Sequence, residues 1–285
     1  MKLGVIAGNR LFPVFFSQEA KRKNNNLEIV AICFKGETSR RLSKYVDKSY
    51  WIKVGEIKKL IEIVEREKLK NLVMVGQINP KKIFNPCDWD EEMKHLIKNE
   101  VKDFRPHNIF GKLIDVLEKK GVKFLDSTTY INELLAEEGI MNKIVIPKEV
   151  EEDIVFGQEI ASRFVELDIG QTVVVKQKTV VAVESLEGTD NTILRGYRLA
   201  KKGCVVLKFS KSDQDLRFDV PLVGMKTLKI LRKVGARCLV LEKNRVIILE
   251  KEKFLKCAYQ WGIAVVGKGK VGVSENSNHH WRGLC

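Results

Sequence analysis

The sequence predicts an α/β protein of two domains, the first a Rossmann-like parallel sheet covered by helices and the second a mixed α/β unit. Three observations predict it. Short apolar runs alternate with helical segments through the first half of the chain, which is the pattern of strand-helix-strand units. The punctuation then changes, where Gly139, Asn142 and Pro147 interrupt the periodic segments. A length of 285 residues with 44% hydrophobic content suits two medium cores.

The elements follow in order. Residues 3–7 (LGVIA) read as a buried strand ending at Gly8, residues 12–21 as a helix and residues 27–33 as the next strand. The alternation continues with a helix over 54–67, a strand over 71–75, a helix over 110–120 and a strand over 122–125. This places the first domain at 1–138 and a linker at 139–147. The second domain, 148–275, opens on a charged helix over 148–167. Strands are expected at 172–175, 180–184, 204–209, 238–242 and 245–249, with helices near 192–200 and 226–234. Residues 276–285 form a polar tail, and there is no internal repeat.

Charge and cysteine usage bound the function. With 51 Lys and Arg against 37 Asp and Glu, the net charge of +14 favours phosphates, nucleic acid or an anionic membrane surface. Nucleic acid draws on charge alone, since no basic helix or interleaved aromatic stripe supports it. The six cysteines form no CxxC pair and read as reduced, mostly buried thiols. No apolar run is long enough to span a bilayer and the N-terminus lacks a signal-peptide pattern, so a cytoplasmic location is expected. No H-E-x-x-H, G-x-S-x-G or GxxxxGK[ST] is present, although His107 in Arg105-Pro106-His107 could meet a phosphate.

Four places could carry chemistry. Gly8, Asn9 and Arg10 follow the first strand, and Gly76 and Gln77 lead the turn Gly76-Gln77-Ile78-Asn79-Pro80 after the strand at 71–75. Two such turns at strand carboxyl ends would line one crevice, although tight turns explain the glycines as well. In the second domain Glu187-Gly188-Thr189-Asp190 stands between a strand and a helix, where the side chains either bind a ligand or cap the helix. The segment from Lys208 to Pro221 packs Asp213, Asp215 and Asp219 beside Lys208, Lys211 and Arg217. If extended at its end, it points Asp215, Arg217 and Asp219 to one side. Grouped carboxylates and cations suit magnesium-assisted phosphoryl chemistry or an ion-paired crossover loop. Asp168-Ile169-Gly170-Gln171 is a fourth, lesser candidate that a simple turn also explains.

The chain resembles the LpxI-type UDP-2,3-diacylglucosamine pyrophosphatases of lipid A synthesis over almost its whole length. The resemblance is carried by GVIAG with Arg10 and Pro13, by VMVGQINP at 73–80, by DIGQTVVV at 168–175, by VESLEGTD at 183–190 with Arg195, and by QDLRFDVPLVG at 214–224 leading into Thr227. Two departures are Asn9-Arg10, where family members commonly carry an extra Gly, and Lys211-Ser212-Asp213, where a KPG-like lead-in is usual.

The resemblance implies a Mg²⁺-dependent enzyme at the inner face of the cytoplasmic membrane. It would split UDP-2,3-diacylglucosamine into UMP and 2,3-diacylglucosamine 1-phosphate (lipid X), with a homodimer as a further implication. Carried onto this sequence, Asp219, then Asp215, is the essential acid, and Asp190 shares metal or water positioning. Lys208 and Arg217 hold the diphosphate, and the Gly8 and Gly76 turns hold uridine or phosphate. Gln171, Glu187, Gly188, Thr189, Gln214 and Thr227 complete the expected substrate contacts. The alternative is a non-enzymatic nucleotide or lipid-phosphate binding module.

Overall fold

The computed structural model describes residues 1–78, 88–99 and 106–272. Asn79, Pro80, Cys87, the side chain of His107 and the expected tail lie outside the described residues. The chain divides into two units. The first comprises Met1–Glu133 together with Asp215–Val220; the second comprises Leu134–Gln214 and, from Pro221, the rest of the described chain. The expected boundaries are corrected in two respects. The first unit ends near residue 133, and the supposed linker holds a strand, Gly139–Ile140, that pairs within the second sheet. The segment Asp215–Val220, expected in the second domain, packs into the first unit.

In the first unit, β1 (Lys2–Ala7), β2 (Glu28–Phe34), β3 (Lys48–Ile52), β4 (Asn71–Val75) and β5 (Lys123–Leu125) form a parallel sheet ordered β3-β2-β1-β4-β5. β1 and β2 are apolar almost throughout because helices cover both faces of a parallel sheet. Those helices are α1 (Phe12–Lys23), α2 (Ile57–Arg66), α3 (Glu91–Asn99) and α4 (Pro106–Glu118). α2 buries Ile57, Leu60, Ile63 and Val64 at helical spacing. Cys33, on β2, is fully buried, and burial pushes its thiol up to about 12.

At the amino edge of the sheet Glu67 is buried among polar partners. Tyr50 donates its hydroxyl to Glu67, and Lys48 and Lys2 stand 2.9 and 3.2 Å from the carboxylate. The Tyr50 hydrogen bond foremost, and then that of Lys48, lowers the Glu67 carboxyl to about 2. Because the folded value is depressed, the stabilisation is complete above the ordinary value of 4.5 and is lost as pH falls towards 2. Tyr50→Phe is therefore expected to move the acid-unfolding midpoint, followed by circular dichroism, to higher pH.

The second unit is built on a sheet ordered β6-β13-β11-β9-β7-β8. The strands are β6 (Gly139–Ile140), β7 (Thr172–Lys176), β8 (Thr179–Val183), β9 (Val205–Lys208), β11 (Cys238–Glu242) and β13 (Ala264–Lys268). β9, β11 and β13 run parallel, while β7 is antiparallel to both β8 and β9. β10 (Leu222–Val223) and β12 (Ile247–Ile248) make a separate short ladder, so the strand expected over 245–249 contributes only its centre, and not to the main sheet. Alternate residues feed two cores. Val173, Val175, Val205 and Leu207 pack under α5 (Lys148–Phe164). Val174, Val206, Leu239 and Leu241 pack under α6 (Thr189–Ala200), α7 (Met225–Val234) and α8 (Lys251–Gln260). Cys204 and Cys238 are buried and Cys257 is partly so, all as free thiols.

Candidate active site

In the first unit the chain leaves β1 towards β2 on one side and later adds β4 on the other. The carboxyl ends of β1 and β4 therefore form the switch point of the sheet, where open α/β folds take ligands. Gly8, Asn9, Arg10, Gly76 and Gln77 all stand there. The two turns are locked together, because the Gly8 amide donates to Val75 O at 2.8 Å and the Asn9 amide to Gln77 O at 2.6 Å. A Cβ on Gly8 would lie 2.6 Å from the Gly76 carbonyl carbon and inside the contact distance of Gln77 O. Gly76 itself has φ +88°. Close approach of two loops thus requires glycine whether or not a ligand is present. Gly8→Ala is expected to lower stability by about 1–3 kcal/mol, as overpacking does, measured by denaturant unfolding.

Asn9 carries the ligand signal at this edge. Its Nδ2 donates to Glu37 Oε2 at 3.0 Å, which fixes the amide orientation, since the carboxylate accepts only. Its Oδ1 is then buried without a hydrogen-bond partner. An open acceptor at a sheet switch point can take a donor from a water or from a ligand N–H or O–H. Arg10, next along, is exposed and held at φ 64° in the left-handed region.

The segment Asp215–Val220 is a turn and not an extended strand, which corrects the expectation that Asp215, Arg217 and Asp219 share one side. The Phe218 and Asp219 amides both donate to Asp215 O, at 3.3 and 2.9 Å. The Asp215 carboxylate takes the Arg217 amide at 3.0 Å and the guanidinium at 2.8–3.2 Å, closing the turn on itself. Burial alone would raise the Asp215 carboxyl, but the Arg217 hydrogen bonds outweigh it and hold it below its ordinary value. Arg217 also reaches Glu118 at 3.3 Å, on α4. This turn is seated by the Ser127 amide on Leu216 O at 2.9 Å and by Phe218 against Phe110, with ring centroids 5.8 Å apart. Asp219 ends it, with an exposed side chain.

In the second unit the carboxyl ends of β8, β9, β11 and β13 and the start of β7 share one sheet edge. There Thr189 is the hub of a polar network. Lys208 Nζ donates to Thr189 Oγ1 at 2.8 Å, Thr172 Oγ1 donates to it at 3.2 Å, and Thr189 faces both oxygens of Glu184 at 3.2 Å. Lys208 is 5% exposed, and its ammonium is held among the polar groups of this edge. The capping alternative fails: the N-cap of α6 is Gly188, at φ 78°, and no side chain caps the helix. Its amino-terminal dipole end therefore stands beside a buried ammonium, the arrangement that suits a phosphate.

Other expected residues serve the loops. Glu187 accepts from Arg195 at 2.7 Å and from the Ser185 amide at 3.1 Å, and its carboxyl is lowered chiefly by Arg195. Asp190 is engaged by Lys226 at 2.8 Å and Thr227 at 2.9 Å, joining α6 to α7. Gln171 accepts the Phe209 amide through its backbone oxygen, and Gln214 is buried with its amide on Lys211 O. Lys211 pairs with Asp168 at 3.2 Å.

Three residues of this edge escape sequence reasoning: Glu184, Thr172 and the buried Glu242, which takes both the amide and the hydroxyl of Ser210 at 2.7 Å. Their common signal is a polar residue at the end of an apolar strand.

Residues 2–134 match the LpxI N-terminal domain and residues 137–266 the LpxI C-terminal domain. The chain belongs to the LpxI family. A curated relative, the UDP-2,3-diacylglucosamine pyrophosphatase LpxI of Caulobacter vibrioides, is 24% identical over 277 residues, covering 93% of this chain and 97% of that protein. Two solved structures show far less likeness. A glycinamide-RNase-transformylase T from Mycobacterium tuberculosis shares 14% identity over 29% of this chain and 25% of its own, with a TM-score of 0.23. A Campylobacter jejuni biotin carboxylase shares 9% over 82% of this chain and 42% of its own, at 0.27. Scores of that size do not establish a common fold. The LpxI match, in contrast, runs through both units in order and includes the Asn9 turn, the Thr189 hub and the Asp219 turn.

Proposed function

We propose that this chain hydrolyses the pyrophosphate bond of UDP-2,3-diacylglucosamine to UMP and 2,3-diacylglucosamine 1-phosphate. The observation that carries the reading is the match to both LpxI domains in order, with a pyrophosphatase as the nearly full-length relative. Each unit supports it with a feature of its own. The orphaned Asn9 acceptor suits a nucleoside donor, and Lys208 beside the uncapped start of α6 suits the diphosphate. Asp219, exposed on a turn anchored at several points, suits the orientation of a water.

Magnesium belongs to the same proposal through the resemblance alone. Its chemistry would be neutralisation of the non-bridging oxygens. Two of the three residues expected to bind it do not fit as they stand. Asp190 is engaged by Lys226 and Thr227, Asp215 is closed on Arg217, and no group of three His, Cys, Asp or Glu among the described residues could hold a metal. No step is therefore assigned through the ion.

Location and assembly extend the proposal: a cytoplasmic enzyme, peripheral at an anionic membrane, working as a homodimer. No helix among the described residues is long and apolar enough to cross a membrane, and the +14 charge favours an anionic surface. The test is UMP release by the purified protein with Mg²⁺ and with excess EDTA. Magnesium-dependent release supports the full reading, whereas tight nucleotide-lipid binding without release would leave only a binding module.

A further inference from the structure

The helices of the second unit separate charge across its sheet. α5, alone on one face, carries Glu149, Glu151, Glu152, Asp153 and Glu159 against Lys148 and Arg163. α6, α7 and α8 cover the other face and together carry nine Lys and Arg against Asp190 and Glu252. α7 has no acidic residue at all. Its Lys226, Lys229 and Lys233 recur at i, i+3 and i+7, so they form one stripe, and all three are exposed. Arg195, Arg198 and Lys202 repeat the same spacing along and just beyond α6 and are also exposed.

Only part of this charge is answered within the unit. Arg195 pairs with Glu187, Lys226 with Asp190 and Lys253 with Glu250. Arg198, Lys229, Lys233 and Lys256 have no carboxylate within ion-pair distance among the described residues. The face also exposes Leu199, 67% accessible, and Tyr259, 59% accessible, side chains that a wholly polar partner would leave wet.

We propose that the outer face of α6, α7 and α8 is the surface by which this protein docks on an anionic lipid bilayer. The proposal rests on the reading that the substrate is an acylated sugar nucleotide, which has to be taken from a membrane. The lysines and arginines meet the headgroup charge, each adding favourable energy within a Debye length, while Leu199 and Tyr259 enter the interface. α5 lies on the opposite face of the sheet, which spares its acidic side chains repulsion from the same surface.

The test compares the wild type with a variant carrying Arg198→Glu, Lys229→Glu and Lys233→Glu, none of which is placed in the substrate site. A control variant reverses Lys119, Lys120 and Lys123 of the first unit. Binding is measured by sedimentation with vesicles of phosphatidylcholine, alone or with about a third phosphatidylglycerol. The expected result is wild-type binding that requires phosphatidylglycerol and weakens with salt, lost by tenfold or more in the helix-face variant and much less in the control. Turnover of detergent-dispersed substrate should be unchanged in both, which separates failure of the docking face from failure of the enzymatic reading. Equal losses in the two variants would show a net-charge effect and overturn the assignment, as would unchanged binding. Tighter binding of the same face to a duplex oligonucleotide than to the vesicles would also overturn it.

Discussion

Asp219→Asn is expected to leave the fold intact and to lower turnover of UDP-2,3-diacylglucosamine by about two orders of magnitude or more. The reason lies in how the carboxylate is held. The Ser127 amide grips Leu216 O, Phe218 packs against Phe110, and the Asp219 amide closes on Asp215 O, so an exposed carboxylate is presented by a turn with little freedom. Asparagine keeps the size and those backbone bonds but removes the charge, so an effect confined to kcat would report chemistry. Asp215 provides the contrast. Its carboxylate already receives the Arg217 guanidinium and amide, so its replacement should appear in unfolding as well as in rate. Near wild-type turnover in a folded Asp219→Asn protein would remove Asp219 from the reaction.

Lys208→Met carries the second large effect. Methionine fills much of the same buried volume and removes the ammonium that stands at the start of α6 against Thr189. Loss of a preorganised cation at a developing charge is expected to lower kcat/KM by about a hundredfold. Any loss of stability should be that of a lost hydrogen bond, ~1 kcal/mol, because methionine keeps the packing while the bond to Thr189 goes. A variant that unfolds more easily while retaining its kcat/KM would recast Lys208 as a structural residue. Thermal melting and steady-state kinetics on one preparation decide between the two.

The fold was largely legible where strands are buried on both sides. β1, β2, β4 and β11 are short apolar runs, and parallel strands must be. β3 leaves no clear signal because KSYWI, at the sheet edge, is half-exposed and starts with two polar residues. α8 leaves none because a helix held by Phe254 and Ala258 has few other apolar positions to reveal its period. The strand over 264–268 lay hidden in a glycine-rich stretch.

The placement of the candidate residues was only partly legible. Gly8, Asn9, Gly76 and Gln77 do meet, because strand order brings the ends of β1 and β4 side by side. The seating of Asp215–Val220 on Ser127 could not be read, since that pairing spans about ninety residues and leaves no local periodicity. Nor could the partners of Asp190, because a carboxylate in the first turn of a helix has the same sequence signature whether it meets a metal or a lysine on a neighbouring helix.

Incubation of the purified protein with UDP-2,3-diacylglucosamine and, separately, with UDP-N-acetylglucosamine, with the products resolved, tests pyrophosphate hydrolysis itself. The expected result is UMP and the acylated sugar 1-phosphate in equal amounts from the first substrate, with little release from the second. Release of UDP in place of UMP, or no release from either substrate by folded protein, would contradict pyrophosphate hydrolysis as its function.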